Sequence, residues 1–430
     1  MLNSFTERMA SFIEASPTPY HAVENAISLL RQNGFTELSL ENSASCAAGG
    51  KYYFSRTGFT HTGGTSLIAI ALPSDTDGKP VAPRGMRVCA SHTDSPCFRL
   101  KPNAVMEGGE YCRLNTERYG GAINSTWLDR PLAVAGRVIV KDGNGARSVN
   151  VRLDGTVIIP NVAIHLNTQL NGGYSYTLNT DLVPLFSDAN AKSKFSERLA
   201  NAAGCKEEDI LDYDLSVYNP ASPTVWGGNG EFISAPRLDD LQCVYASLEG
   251  FINAKPQNYA AVLALFDCEE VGSSCISGAD SDLLGIAARL ISESTQTSVH
   301  SLAAGGFLLS ADNAHALHPN HPELADPTNR PVINGGIVLK YNSSKRYITD
   351  GESGAFVRLL CDRCGVKLQT YANRSDMPGG STLGNISGTQ LPLPGADIGL
   401  PQLAMHSSFE TAGTKDGEEL YALTRAFFSE

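Results

Sequence analysis

The apolar run at residues 259–266, YAAVLALF, breaks directly into Asp267, Cys268, Glu269 and Glu270, and this junction constrains the fold more than any other feature of the chain. The run has the length and content of a strand buried on both faces. Carboxylates at the end of such a strand are costly unless positive charge sits against them. Successive side chains on a strand point to opposite faces, so Glu269 and Glu270 are expected to do different work. A solvated acidic turn would have the same composition, but ligand sites in open sheets favour the C-terminal ends of strands.

The rest of the chain supplies the partners for such a strand. Phe5, Met9, Phe12 and Ile13 mark one face of an N-terminal amphipathic helix. Val23, Ala26, Ile27 and Leu30 mark a second, stopped by Asn33 and Gly34. Strands are expected at 66–72 and 86–90. From about residue 97 to 231 the texture changes to short strands with turn signals, such as Asp142 to Gly145 between VAGRVIV and VNVRL. Helical spacing returns with Leu238, Leu241, Val244, Tyr245, Leu248, Phe251 and Ile252. Beyond it, strands such as FLLS and VKLQTY alternate with helices near 282–290, near 355–363 and from 418 onward. These signals predict an α/β fold, a mixed, mostly parallel sheet flanked by helices. It would be built from residues 1–95 and 233–430 and interrupted by a β-rich insertion at 96–232.

Several function classes are disfavoured. The formal charge is −12, from 33 basic and 45 acidic residues, without a basic cluster, so nucleic acid and anionic membranes are poor partners. No apolar run approaches the ~20 residues that span a bilayer. The N-terminal stretch carries Glu7 and Glu14 and lacks the apolar core of a secretory signal. Ten cysteines are scattered, and only Cys361 and Cys364 have paired spacing, within an amphipathic helical pattern and with no second pair to complete a zinc site. That usage points to a reducing compartment, the cytoplasm.

Five places share one pattern, an apolar run followed by an acid or a histidine. They are His92 with Asp94 after MRVCAS, Asp239 and Asp240 after ISAPRL, Glu269 and Glu270 after VLALFDC, Asp312 after GFLLSA, and His406 after PQLAM. Singly, each has an ordinary explanation, since an Asp before a helix is commonly an N-cap. Together they would gather two imidazoles and several carboxylates at one sheet edge, a donor set that suits zinc, manganese or cobalt in a two-metal hydrolytic site. Two divalent ions bring about +4, which a hydroxide and three ligand carboxylates bring to about zero. A remaining carboxylate can then act as base toward a water whose pKa zinc lowers to roughly 7. Asp94, two residues past His92, suits an acceptor that orients the ligating imidazole.

The segments SHTDSPCFRLKP, RLDD, DCEEVGSSCISGA, SADNAHALHPN, LKYNSSKRY, MPGGSTLG and PQLAMHSSFE, in this order, resemble the aspartyl aminopeptidase family of dinuclear zinc exopeptidases. SPTPYHAV, STWLDRPL and IPNVAIHL match its pattern as well, so the likeness runs from about residue 16 to residue 411. The resemblance implies a zinc exopeptidase-like fold and two divalent metal ions per subunit. Asp239 would bridge them, His92 and Asp312 would hold one, and Glu270 and His406 the other. Glu269 would be the general base, then the acid toward the leaving amine. Asp240 would start a helix rather than bind metal. Lys340 and Tyr347 would line the pocket for the first side chain, and His315 and His165 would steady the oxyanion. In this family the histidine of the insertion reaches a neighbouring subunit, which implies self-association, as a tetrahedral homododecamer, through the insertion.

The leading expectation is a cytoplasmic aminopeptidase that removes N-terminal Asp or Glu from short peptides. A metal-dependent deacylase or a broad-specificity aminopeptidase would keep the metals and change the substrate. A non-catalytic metal-stabilised assembly protein is the reading outside enzymes, and the presence of Glu269 speaks against it. A serine hydrolase is disfavoured, because GESGA at 351–355 lacks the last glycine of a nucleophile elbow and runs into a helix.

Overall fold

The strand Ala260–Phe266 lies where its composition demands, buried along its whole length. Ala261, Leu263 and Leu265 join the core on one face of the sheet, while Ala260, Val262, Ala264 and Phe266 join the core on the other. The chain is described by a computed structural model covering residues 4–40, 46–47, 49–56, 60, 63–106, 109–153, 155–191 and 194–430. The first three residues of the N-terminal helical pattern fall outside these. Its apolar face is nonetheless in place on the helix Ser4–Ala15, with Phe5, Met9, Phe12 and Ile13 in the core.

Among the described residues the strands form sheets of nine, six and five. The nine-stranded sheet runs Thr36–Glu37, Lys51–Ser55, Leu67–Ala71, Ala260–Phe266, Met86–His92, Phe307–Ala311, Gly395–Gly399, Ile337–Tyr341 and Leu368–Ala372. Its four central strands, from Ala260–Phe266 to Gly395–Gly399, are mutually parallel, and antiparallel pairs enter on either side. Leu238–Ile252 and Asp416–Phe428 cover one face together with Ser4–Ala15, and Phe251 meets Phe428 at 5.1 Å between ring centroids. Leu283–Thr295, Val299–Ala304 and Leu383–Gln390 cover the other. Covering both faces is what lets the inner strands be apolar throughout.

The helix expected near 355–363 begins earlier and spans Gly351–Cys364. Asp350 and Ser353 form a reciprocal capping box that satisfies the first orphan amides. Ser353 is therefore committed to a helix start.

The insertion contributes the six-stranded sheet, entirely antiparallel, from Cys97–Met106, Tyr111–Tyr119, Ala133–Asp142, Gly145–Arg152, Leu185–Asp188 and Ile210–Tyr218. It has its own apolar cluster around Phe98, Leu114, Trp127, Val138 and Leu215. The hairpin between Ala133–Asp142 and Gly145–Arg152 turns at the predicted Asp142–Gly145 signal, with Gly143 at a left-handed φ of 58°.

The five-stranded sheet departs from the sequence reading. It joins Thr224–Trp226, Phe232–Ala235, Glu410–Gly413, Pro401–Leu403 and Ala314–His315. Thr224–Trp226 falls within the span 96–232 yet pairs with Phe232–Ala235, so the chain leaves the insertion's sheet after Tyr218. The runs preceding Asp239 and His406 also belong here and not to the main sheet. Phe232–Ala235 and Pro401–Leu403 instead flank Glu410–Gly413 and take their backbone partners from it. No helix among the described residues is long and apolar enough to cross a membrane.

Candidate metal centre and active site

Three of the expected residues follow from the parallel register. Phe266 pairs with His92 and Ser310 with Ala90, so Glu269, His92 and Asp312 leave three adjacent strands at one edge. Two departures from extended backbone then aim the side chains. Cys268 adopts a left-handed φ of 64° and turns the chain into the single 3-10 turn Glu269–Val271. The amides of Glu269 and Glu270 there donate to Asp94 Oδ1 and Oδ2 at 3.2 and 3.1 Å.

Asp239 and His406 arrive from the five-stranded sheet. Asp239 and Asp240 are non-helical, so the regular helix begins after them. Asp240 is fully buried and accepts the backbone amide of His92 at 3.2 Å, a more specific task than starting a helix. His406 sits at a left-handed φ of 68°, a conformation held only by a surrounding that determines it. Glu410 does so, because its Oε1 accepts the amide of His406 at 2.7 Å and its Oε2 the amide of Asp239 at 3.0 Å. One buried carboxylate thus ties together two candidate ligands. Sequence reasoning missed Glu410, whose only signal was a place four residues past His406.

The resulting geometry has two halves that share Asp239. Asp239 Oδ1 is 3.4 Å from His92 Nε2, which is itself 3.7 Å from Asp312 Oδ1. Asp239 Oδ2 is 3.7 Å from His406 Nε2, which is 3.4 Å from Glu270 Oε2. Ligands about 2.0–2.2 Å from a tetrahedral ion stand about 3.3–3.6 Å apart, a spacing that the two 3.4 Å separations match and the two 3.7 Å separations approach, so these donors would fit around cations. Three overlapping donor groups emerge among the described residues, one with His92, Asp239, Asp240 and Asp312, one with Asp239, Glu270 and His406, and one with His92, Glu269 and Glu270. His92 Nδ1 donates to the carbonyl oxygen of Asp94 at 3.0 Å, leaving Nε2 free as a ligand, and the Asp94 carboxylate stands 3.4 Å away. The expected orienting acceptor therefore acts on the imidazole chiefly through its main chain.

The donor set fits cations on electrostatic grounds. Asp239 Oδ1 and Glu270 Oε1 are buried with no hydrogen-bond partner. Burial, then the charge of Asp239, holds the Glu270 carboxyl well above its usual range. Burial pushes Glu269 up to about 8; His92 pulls it down, and Asp312, Asp94 and Asp239 add to the rise. Burial would raise Asp312 too, but Lys340 and His92 outweigh it and hold the group down to about 2. A cluster of buried acids with one lysine beside it calls for added positive charge.

Lys340 is 2% exposed, although lysine seldom is buried. Its Nζ donates to the carbonyl oxygen of Asn313 at 2.7 Å, lies 3.6 Å from Asp312 Oδ2 and stands 5.5 Å from the centroid of the Tyr347 ring. His315 lines a cleft of about 270 Å³ with Tyr371, and their rings lie 6.2 Å apart. His165 is elsewhere, exposed on the insertion beside exposed Val162, Ile164 and Leu166.

A family model for the aminopeptidase I zinc metalloproteases (M18) matches residues 12–428. The chain belongs to the M18 aminopeptidase family. Among M18 relatives, a probable M18 family aminopeptidase 2 of Clostridium acetobutylicum is 39% identical over 428 residues, covering 96% of this chain and 95% of its own. Among solved M18 structures, Ape4 in its complex with Nbr1 superposes with a TM-score of 0.92 at 30% identity, over 100% of this chain and 87% of that one. The mApe1 dodecamer of S. cerevisiae superposes with a TM-score of 0.85 at 28% identity, over 99% of this chain and 96% of that one. As an M18 zinc metalloprotease, the protein is a metallo-aminopeptidase.

Proposed function

We propose that this M18 aminopeptidase removes N-terminal Asp or Glu from short peptides, using two divalent cations per subunit. The observation that carries the two-cation reading is Asp239, whose two carboxylate oxygens face different histidines, His92 at 3.4 Å and His406 at 3.7 Å. His92 and Asp312 would hold one cation, Glu270 and His406 the other, with Asp239 between them. Zinc is the natural occupant for the family, and manganese and cobalt suit the same donors. Bound there, such ions polarise a scissile carbonyl and acidify water. Glu269 takes the proton from the attacking water and returns it to the departing amine. His315, and His165 of a neighbouring subunit, steady the oxygen of the reacting carbonyl. Metal analysis of the purified protein beside rates on Asp-, Glu-, Ala- and Leu-anilides tests the proposal. One ion per subunit, or equal rates on all four, would overturn it, and a preference for acetylated amino acids would favour a deacylase.

Preference for acidic residues rests on Lys340 with Tyr347. A buried ammonium whose neighbour Asp312 is engaged by a cation lacks a full counter-charge until a substrate carboxylate supplies it. Lys340→Met is expected to lower kcat/KM on the Asp-anilide by roughly 30-fold or more while sparing the Leu-anilide, the cost of removing one partner of a buried charge pair. Parallel losses on both substrates would reject the assignment.

Residues 96–232 are proposed as an oligomerisation unit of a cytoplasmic homododecamer, tetrahedral in arrangement. Support comes from the dodecameric S. cerevisiae relative and from Leu166, 82% exposed next to His165 among other exposed apolar side chains. His165→Ala subunits mixed with Glu269→Gln subunits should recover activity that neither has alone. Mixtures as inactive as their parents would argue that His165 does not act across an interface.

A further inference from the structure

The strand Tyr111–Tyr119 belongs to the inserted sheet, yet its last residue ends at the reaction centre. Tyr119 is 8% exposed, and its hydroxyl donates to Asp94 Oδ2 at 2.7 Å. That same oxygen accepts the amide of Glu270, and Oδ1 accepts the amide of Glu269. Asp94 is also the residue whose carbonyl receives Nδ1 of His92. A single carboxylate therefore sets the turn that carries the proposed base, and one phenol from the insertion sets that carboxylate. The ring is held in turn by Arg99, whose guanidinium stacks 3.7 Å from its centroid. Two residues on, the carbonyl of Gly121 lies 3.3 Å from Nδ1 of His406, and the amide of Ile123 donates to the carbonyl of His406 at 3.0 Å. Thr126 engages Ser408 through both its hydroxyl and its carbonyl.

We infer that Tyr119 is a positioning residue for the peptidase reaction, orienting the Glu269–Glu270 turn and His92 through Asp94. This rests on Glu269 acting as the base. The hydroxyl makes the shortest contact on the Asp94 carboxylate, at 2.7 Å against 3.4 Å for Nδ1 of His92, and the two backbone donors are the amides being positioned. Without it, the carboxylate keeps its two amides but loses its shortest contact, and the turn that aims Glu269 is held less firmly. The insertion thereby contributes to catalysis within its own subunit, apart from any contact it makes with another.

Tyr119→Phe removes one oxygen and leaves Asp94 its two backbone donors, so the fold is expected to persist. Metal content, melting temperature, assembly mass, kcat and KM are measured together on the Asp-anilide. Metal content and assembly should stay at the wild-type level and KM within about two-fold, while kcat falls roughly 10- to 100-fold, the scale seen when partners of ligand-orienting groups are lost. An unchanged kcat, whatever happens to the melting temperature, would mean that the phenol only satisfies a buried acid and would overturn the inference. A second measurement adds Asp94→Asn and the double variant. If Tyr119 acts through Asp94, the double variant is no slower than Asp94→Asn alone, whereas multiplicative losses would place its action elsewhere. Glu269→Gln assayed in parallel separates the two readings. Retained turnover there removes the base assignment itself, while an unchanged kcat in Tyr119→Phe removes only the role given to the tyrosine.

Discussion

Glu269→Gln is expected to retain its metals, its assembly and a near-normal KM while losing roughly 10²–10⁴-fold in kcat, the range attributed to general acid–base groups. The substitution keeps the shape of the side chain and the backbone amide that bonds Asp94, and removes only the capacity to take a proton. The residue is suited to the task because burial lifts its carboxyl to about 8 when the charge around it is that of the protein alone. Cations beside it would lower that value and favour the ionised form that a base requires. A base must be ionised, so the wild-type kcat/KM should fall as the pH drops through the pKa of Glu269. The residual activity of the Gln variant should lack that acid limb. Turnover within ten-fold of wild type, with the limb intact, would assign the base elsewhere.

Asp239→Ala should cost the protein both cations, whereas His92→Ala and His406→Ala should each weaken chiefly one. The asymmetry follows from the two oxygens of Asp239, one turned to His92 and the other to His406. Activity of the Asp239 variant should drop to the detection limit, and elemental analysis should find little metal at stoichiometric supply. Stability supplies an independent readout. Zinc bound only by the native state stabilises it by mass action, so the melting temperature of the wild type should rise on addition of metal. The Asp239→Ala protein should show little of that rise. Two ions retained by the variant would contradict the shared-ligand geometry.

How much of this was legible beforehand differs from residue to residue. His92, Glu269 and Asp312 could be anticipated because each follows a buried strand, and the apolar content of Met86–His92, Ala260–Phe266 and Phe307–Ala311 is a local property. The order in which those strands lie side by side is not local, but a parallel sheet brings their ends to one edge whatever the order. Asp239 and His406 were recognisable as candidates, yet their strands were placed in the wrong sheet. Lys340 is a further case, since residue chemistry alone favours exposure for a lysine and its burial depends on Asp312, Asn313 and Tyr347, none next to it in sequence.

The amino-acid sequence by itself determined the buried strands, the helical faces, the hairpin-rich interruption and the types of side chain available for chemistry. These follow from periodicity and from the conformational limits of neighbouring residues, which act over a few positions. Only the tertiary structure decided that Asp239 looks both ways, that Glu410 clasps Asp239 and His406, and that Tyr119 of the insertion steadies Asp94. Some of those relations join segments well over a hundred residues apart, and all arise from buried polar groups seeking partners, a requirement that distance along the chain neither encodes nor limits.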